Sequence, residues 1–223
     1  MKRTMAVCLG LLALAGPAAA ETPVAVVEEV QGKVTGAEFM DYLRPKMVIK
    51  VPAGGSVTIS YLKSCQRETI SGLGTVIVGT EESFVQFADV KREKTDCDST
   101  QSHATTKATS EAAATVLRSL ASNKSGPRIT TQLTLYGASP MVDAKGKGTL
   151  VLERLDVKGE RQQVELSGSQ AKGRFYDFAG TSRALTPGGI YSASFGKSRV
   201  VFLVDANAKP GPTPIVGRLI RLD

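Results

Sequence analysis

The residues whose types could do chemistry are few: Cys65 and Cys97, the single histidine His103, three close carboxylate sets and a pair of arginines near the C-terminus. A redox pair needs a C-x-x-C spacing and a zinc site needs four ligands, and neither can be assembled from two distant cysteines and one histidine. The cysteines are therefore read as a disulfide, with a redox or metal pair as the alternative. Such a bridge closes a loop of about 33 residues and stabilises by roughly 3 to 4 kcal/mol on a chain-entropy argument. A Ser/His/Asp hydrolase would have to use His103, which lies in a Ser/Thr-rich stretch and reads as an inert exposed residue. The surroundings of Cys65, after Lys63-Ser64 and before Gln66-Arg67, do not fit a cysteine transpeptidase.

Carboxylate pairs can serve glycoside hydrolysis without histidine. The adjacent sets are Glu28-Glu29, Glu81-Glu82 and Asp96/Asp98. Neighbours on a strand point to opposite faces, and pairs in turns are usually solvated, so these sets read as surface charge. Ala144-Lys145-Gly146-Lys147-Gly148 lacks the frame of a phosphate-cradling loop and reads as a turn. In Arg218-Leu219-Ile220-Arg221-Leu222 either arginine suits an edge or a carboxylate on a partner, which makes Arg218 and Arg221 candidate partner contacts. No cofactor and no metal site is expected.

Compartment follows from the first residues. Lys2 and Arg3 precede an apolar stretch from Met5 to Ala15, then Gly16-Pro17 and Ala18-Ala19-Ala20 before Glu21. This reads as a signal peptide over 1–20, cleaved between Ala20 and Glu21, because about 11 apolar residues fall short of the roughly 20 that span a bilayer. Cys8 lies inside the apolar run and would leave with it. Removal of Lys2 and Arg3 lowers the formal charge from +7 to +5. No later segment is long enough for a transmembrane helix, so a protein of the periplasm is expected, where thiols are oxidised. The mild positive charge suits anionic envelope polymers or lipid headgroups, whereas export and sparse aromatic residues argue against nucleic acid.

The elements that must carry these residues are mainly β. Val24 to Val34, Met47 to Val51, Val57 to Tyr61, Glu68 to Ser71, Thr75 to Val78 and Phe84 to Val90 read as strands between turn signals. Alternation in Val57-Thr58-Ile59-Ser60-Tyr61 puts one face on a core. Residues 99–128 shift to Ser, Thr, Ala and Lys and read as a linker with one short helix, capped by Ser110, with Ala113, Val116, Leu117 and Leu120 on one face. A second β block follows over 129–223. Thr149 to Val157, Gln163 to Leu166, Gly173 to Phe178, Ile190 to Phe195, Val200 to Val204 and Ile215 to Leu222 are its expected strands. Phe195-Gly196-Lys197-Ser198-Arg199-Val200 has the makings of a hairpin. Two small β-sandwich-like domains, 21–98 and 129–223, are thus expected.

Val27-Glu28-Glu29-Val30-Gln31-Gly32-Lys33-Val34, Pro52-Ala53-Gly54-Gly55-Ser56-Val57-Thr58-Ile59 and Gly72-Leu73-Gly74-Thr75-Val76-Ile77-Val78 together resemble the FecR-type periplasmic domain family. The resemblance covers about residues 24–90 and implies a small β-sandwich-like domain outside the inner membrane that senses a signal or binds a partner. Regulators of that family pair the domain with a cytoplasmic segment and a spanning helix, and this sequence shows neither. The expectation is an exported, non-catalytic binding or scaffolding protein whose partner is an envelope protein or cell-wall glycan. The alternatives are an accessory to a membrane-bound sensor and, more remotely, a carboxylate-dependent glycan hydrolase.

Overall fold

The computed structural model describes residues 22–100, 129–169, 173–181 and 183–222. The expected cleavage between Ala20 and Glu21, the helix of the linker and His103 lie outside the described residues. Those described form a mainly β protein built from sixteen strands and two short 3-10 turns.

Residues 22–98 carry β1 (Ala25–Gln31), β2 (Tyr42–Leu43), β3 (Val48–Val51), β4 (Ser56–Tyr61), β5 (Gln66–Ser71), β6 (Gly74–Val78), β7 (Ser83–Gln86) and β8 (Asp89–Lys94). They pair into a five-stranded sheet, β2-β1-β4-β5-β8, and a three-stranded sheet, β3-β6-β7, antiparallel throughout. The period-2 pattern explains the packing. Val27, Ile59 and Ile70 from the first sheet meet Ile49, Val76 and Val78 from the second in one apolar core. The stretch from Phe84 to Val90, expected as one strand, is β7 and β8 in different sheets. Phe87 breaks it with a φ of 66°, a turn that no glycine announces.

The second unit carries β9 (Leu133–Gly137), β10 (Met141–Asp143), β11 (Gly148–Arg154), β12 (Arg161–Leu166), β13 (Phe175–Asp177), β14 (Ile190–Phe195), β15 (Ser198–Lys209) and β16 (Leu219–Arg221). A five-stranded sheet, β12-β11-β14-β15-β9, faces a three-stranded one, β13-β10-β16. The pairs β9–β15 and β10–β16 are parallel. Leu150, Leu152, Ala193 and Phe202 meet Val142, Phe178 and Ile220 in its core. The hairpin over 195–200 forms with Gly196 at a φ of 58°. Two corrections apply. The expected strand from Ile215 begins as a 3-10 turn, Ile215–Gly217, started after Pro214, and β9 and β10 were not among the expected strands.

A third apolar cluster joins the units. Val26, Met40 and Leu62 of the first pack with Met141, Phe175, Val216 and Leu219 of the second, and Cys97 lies against them. Alternation again supplies the reason. In β1, Val27 enters its own core and Val26 the seam, while in β10 and β16 the core takes Val142 and Ile220 and the seam takes Met141 and Leu219. The five-stranded sheet of the first unit thus meets the three-stranded sheet of the second across an apolar seam.

Candidate binding groove at the seam

Polar groups at the rim of the seam are positioned by the strands that build it. Glu28, on the same face of β1 as Val26, accepts from Arg67 Nε at 2.8 Å and from the Val216 main-chain N–H at 3.3 Å. Arg67 also donates to Glu93 at 2.6 Å. Tyr42 donates its hydroxyl to Asp143 at 2.8 Å, and Arg174 donates through Nε and Nη2 to the same carboxylate. Burial, reinforced by the Asp143 charge, pushes the Tyr42 phenol well above the usual tyrosine range. Asp98 accepts from the Thr134 N–H at 2.7 Å, tying the end of the first unit to β9.

Cys65 and Cys97 form a disulfide. It fixes the strap Thr95–Asp98 that runs from β8 along the second unit. The Thr95 N–H donates to the Cys65 carbonyl at 2.9 Å, and the Asp96 carbonyl passes so close to Gly217 that a Cβ there would lie 2.5 Å from it. The bridge therefore holds a segment against the neighbouring unit, beyond closing a loop of its own.

Arg218 is not a rim residue. It is 2 % exposed, pairs in bidentate fashion with Asp177 at 2.6 and 3.2 Å, and donates to the carbonyls of Thr213 and Ser139. Its carboxylate partner belongs to its own chain, so its candidacy as a partner contact falls: its donors tie Thr213 of the Pro210–Pro214 loop to Ser139 and Asp177. Arg221 is half-buried with its guanidinium 5.1 Å from the Tyr42 ring centroid, part of the seam.

The carboxylate sets separate. Glu28 lies in the seam while Glu29 accepts from the Gln31 side chain. Glu81 pairs with Lys63 at 2.7 Å, a contact that lowers its pKa, and Glu82 lies 3.7 Å from Arg92. Asp96 and Asp98 are both on the strap. Among the described residues no group of three or more His, Cys, Asp or Glu is placed to hold a metal ion. The Ala144–Gly148 stretch is the turn between β10 and β11, with Gly146 at a φ of 103°.

Two grooves flank the Pro214–Gly217 turn, each lined by both units. The first, about 460 Å³, holds Glu28, Arg67, Asp177 and Arg218, all of them paired within the chain. The second, about 400 Å³, has the strap as one wall and Tyr136, Asn207, Lys209, Pro214 and Gly217 as the other. Its chemistry differs. Of its polar lining, Lys94 donates to the Ser64 carbonyl and Glu93 is held by Arg67. No hydrogen bond or ion pair among the described residues engages the side chains of Asp96, Tyr136, Asn207 or Lys209. Burial, then the charges of Asp98, Asp205 and Asp96, raise the pKa of Tyr136, so its hydroxyl stays a donor. Thr213 Oγ1, which belongs to the lining of both grooves, is buried with no hydrogen-bond partner among the described residues.

Residues that carry a carboxylate, an ammonium, an amide and a phenol line one cleft, a set of donors and acceptors that can recognise a polar ligand. Sequence reasoning reached only Asp96 among them. Tyr136, Asn207 and Lys209 come from β9 and the end of β15, and nothing in their local patterns marks them. Comparison with models of known families, with curated proteins and with solved structures gives no match.

Proposed function

We propose that this chain is an exported, non-catalytic binding or scaffolding protein of the bacterial periplasm, with a FecR-like first unit, and that it recognises an envelope protein or cell-wall glycan. The observation that carries this reading is the second groove. Its four uncommitted polar side chains come from two units packed on one apolar seam, which fixes the backbones that carry them relative to one another and leaves their donors and acceptors available to a ligand. The disulfide supports an oxidising compartment.

The test is a photo-crosslinker placed at Asn207 in the full chain in living cells, together with binding of purified protein to immobilised peptidoglycan. One saturable adduct or retained glycan, lost on Asp96→Ala with Lys209→Ala and formed without soluble products, supports the reading. Release of soluble glycan would replace it with the hydrolase reading, and retention unchanged in the double variant would move recognition away from the groove.

A further inference from the structure

Large apolar side chains are exposed on this protein mostly in one place. Of seven such residues among those described, Val48, Leu73, Phe84 and Phe87 belong to the β3-β6-β7 sheet or its corners. The register aligns Val48, Ile77 and Phe84 in one row across its outer face. At its end two corners carry the chain between the sheets: Gly72-Leu73 between β5 and β6, and Phe87-Ala88 between β7 and β8. They approach closely, since a Cβ on Gly74 would run into the Gln86 carbonyl and lie 2.6 Å from the Ala88 main-chain nitrogen. Leu73 and Phe87 are the chain neighbours of these touching residues, and both are exposed. Phe87 is 94 % exposed and adopts a φ of 66°, a conformation that bulky residues avoid.

We propose that this face and its corners dock on an anionic lipid bilayer surface. Leu73, Phe84 and Phe87 are each more than two-thirds exposed, which suits insertion into a fluid layer that closes around them. Strand addition is disfavoured at both edges. Thr35 exchanges main-chain hydrogen bonds with Lys50 beside β3, and the Ser83 main-chain N–H and carbonyl on β7 are taken by Glu68 and Arg92. Charge selects the surface. β3, β6 and β7 contain no carboxylate, the exposed Glu81 and Glu82 of the loop between β6 and β7 are met by Lys63 and Arg92, Lys50 is exposed on β3, and Lys33 follows a turn at Gly32 that abuts Gly55, whose carbonyl accepts from Gly72. The nearby Asp89 begins β8 in the other sheet. Anionic headgroups complement this lysine-flanked apolar face.

Co-sedimentation of the full, disulfide-intact chain with vesicles of phosphatidylglycerol in phosphatidylcholine, against phosphatidylcholine alone, tests the proposal. The expected result is binding to the anionic vesicles only, weakened by salt and by Lys50→Glu and reduced roughly tenfold or more by Phe87→Ser or Leu73→Ser. Val157→Ser, which removes an exposed apolar side chain of the second unit, leaves it unchanged. Absence of binding, binding indifferent to both corner variants, or a dimer in solution that Phe87→Ser dissolves would overturn it. The groove plays no part in this assay, so its result is independent of the recognition reading above.

Discussion

The main-chain oxygen of Asp96 lies 2.5 Å from where a Cβ on Gly217 would sit, so the strap of the first unit and the 3-10 turn of the second meet only because position 217 has no side chain. The contact is steric, not conformational, since Gly217 is outside the left-handed region. Gly217→Ala is expected to push the strap off the turn and cost about 1–3 kcal/mol, the range for overpacking. Gly180→Ala, whose Cβ would meet nothing within 4 Å, should leave stability unchanged. Thermal unfolding of both variants checks this, and a Gly217→Ala protein as stable as wild type would mean that the strap is loosely held.

Removal of the disulfide should act on both the loop and the seam. Cys65→Ser with Cys97→Ser is expected to lower stability by roughly 3 to 4 kcal/mol through loop entropy. Because Cys97 packs against the cluster shared by the two units, hydrogen exchange should also rise at Val216 and Leu219. Urea unfolding with and without a dithiol reductant measures the first effect. Loss confined to the first unit would show that the bridge does not reach across the seam.

Alternation made the inner faces legible in the sequence. Val57, Ile59 and Tyr61 point into the first core as their spacing requires, and the glycine-led hairpin at 195–200 formed where a polar turn separates two runs of β-formers. The seam was not legible, because it uses the faces that alternation assigns to water. Val26 is apolar on that face, but Glu28 beside it reads as a surface charge until Arg67 and the Val216 N–H appear as its partners. Arg218 follows the same logic: its alternation with aliphatic residues reads as an edge or partner contact, and only the fold brings Asp177, Thr213 and Ser139 around it. The groove residues Tyr136, Asn207 and Lys209 become neighbours only when β9 pairs in parallel with β15, a long-range event with no local signature.

Alkaline pH should weaken the fold through its buried tyrosines. Burial raises the Tyr61 phenol to about 12, opposed by its hydrogen bond with Ser83. The folded chain therefore holds a proton that the unfolded chain releases near pH 10. Its contribution is intact below about pH 10 and is lost as pH rises through 12. Tyr61→Phe removes the titrating group, so its stability should fall less steeply over that window, after a fixed loss of about 0.5–1.5 kcal/mol from the missing hydrogen bond. Denaturation profiles of the two proteins from pH 8 to 12 on parallel slopes would assign the alkaline loss elsewhere.

The bond from Tyr42 to Asp143 links the two units directly and gives the means to ask whether the seam is closed in solution. Asp143 is fully buried and also holds Arg174. Tyr42→Phe removes a hydrogen bond to a charged group and should cost about 1.5–3 kcal/mol. Asp143→Ala removes the carboxylate that Tyr42 and Arg174 share, and the partial exposure of Arg174 keeps the cost toward the lower end of the roughly 3–5 kcal/mol typical of a broken buried pair. If the units are packed as described, the double variant loses less than the sum of the single losses, with a coupling of about 0.5–3 kcal/mol. Independent units share no such term, and their losses would add to within about 0.5 kcal/mol. Additivity would separate the walls of the groove, since the strap and β9 belong to different units. Coupling would establish that the two units that carry those walls are packed together before any ligand arrives.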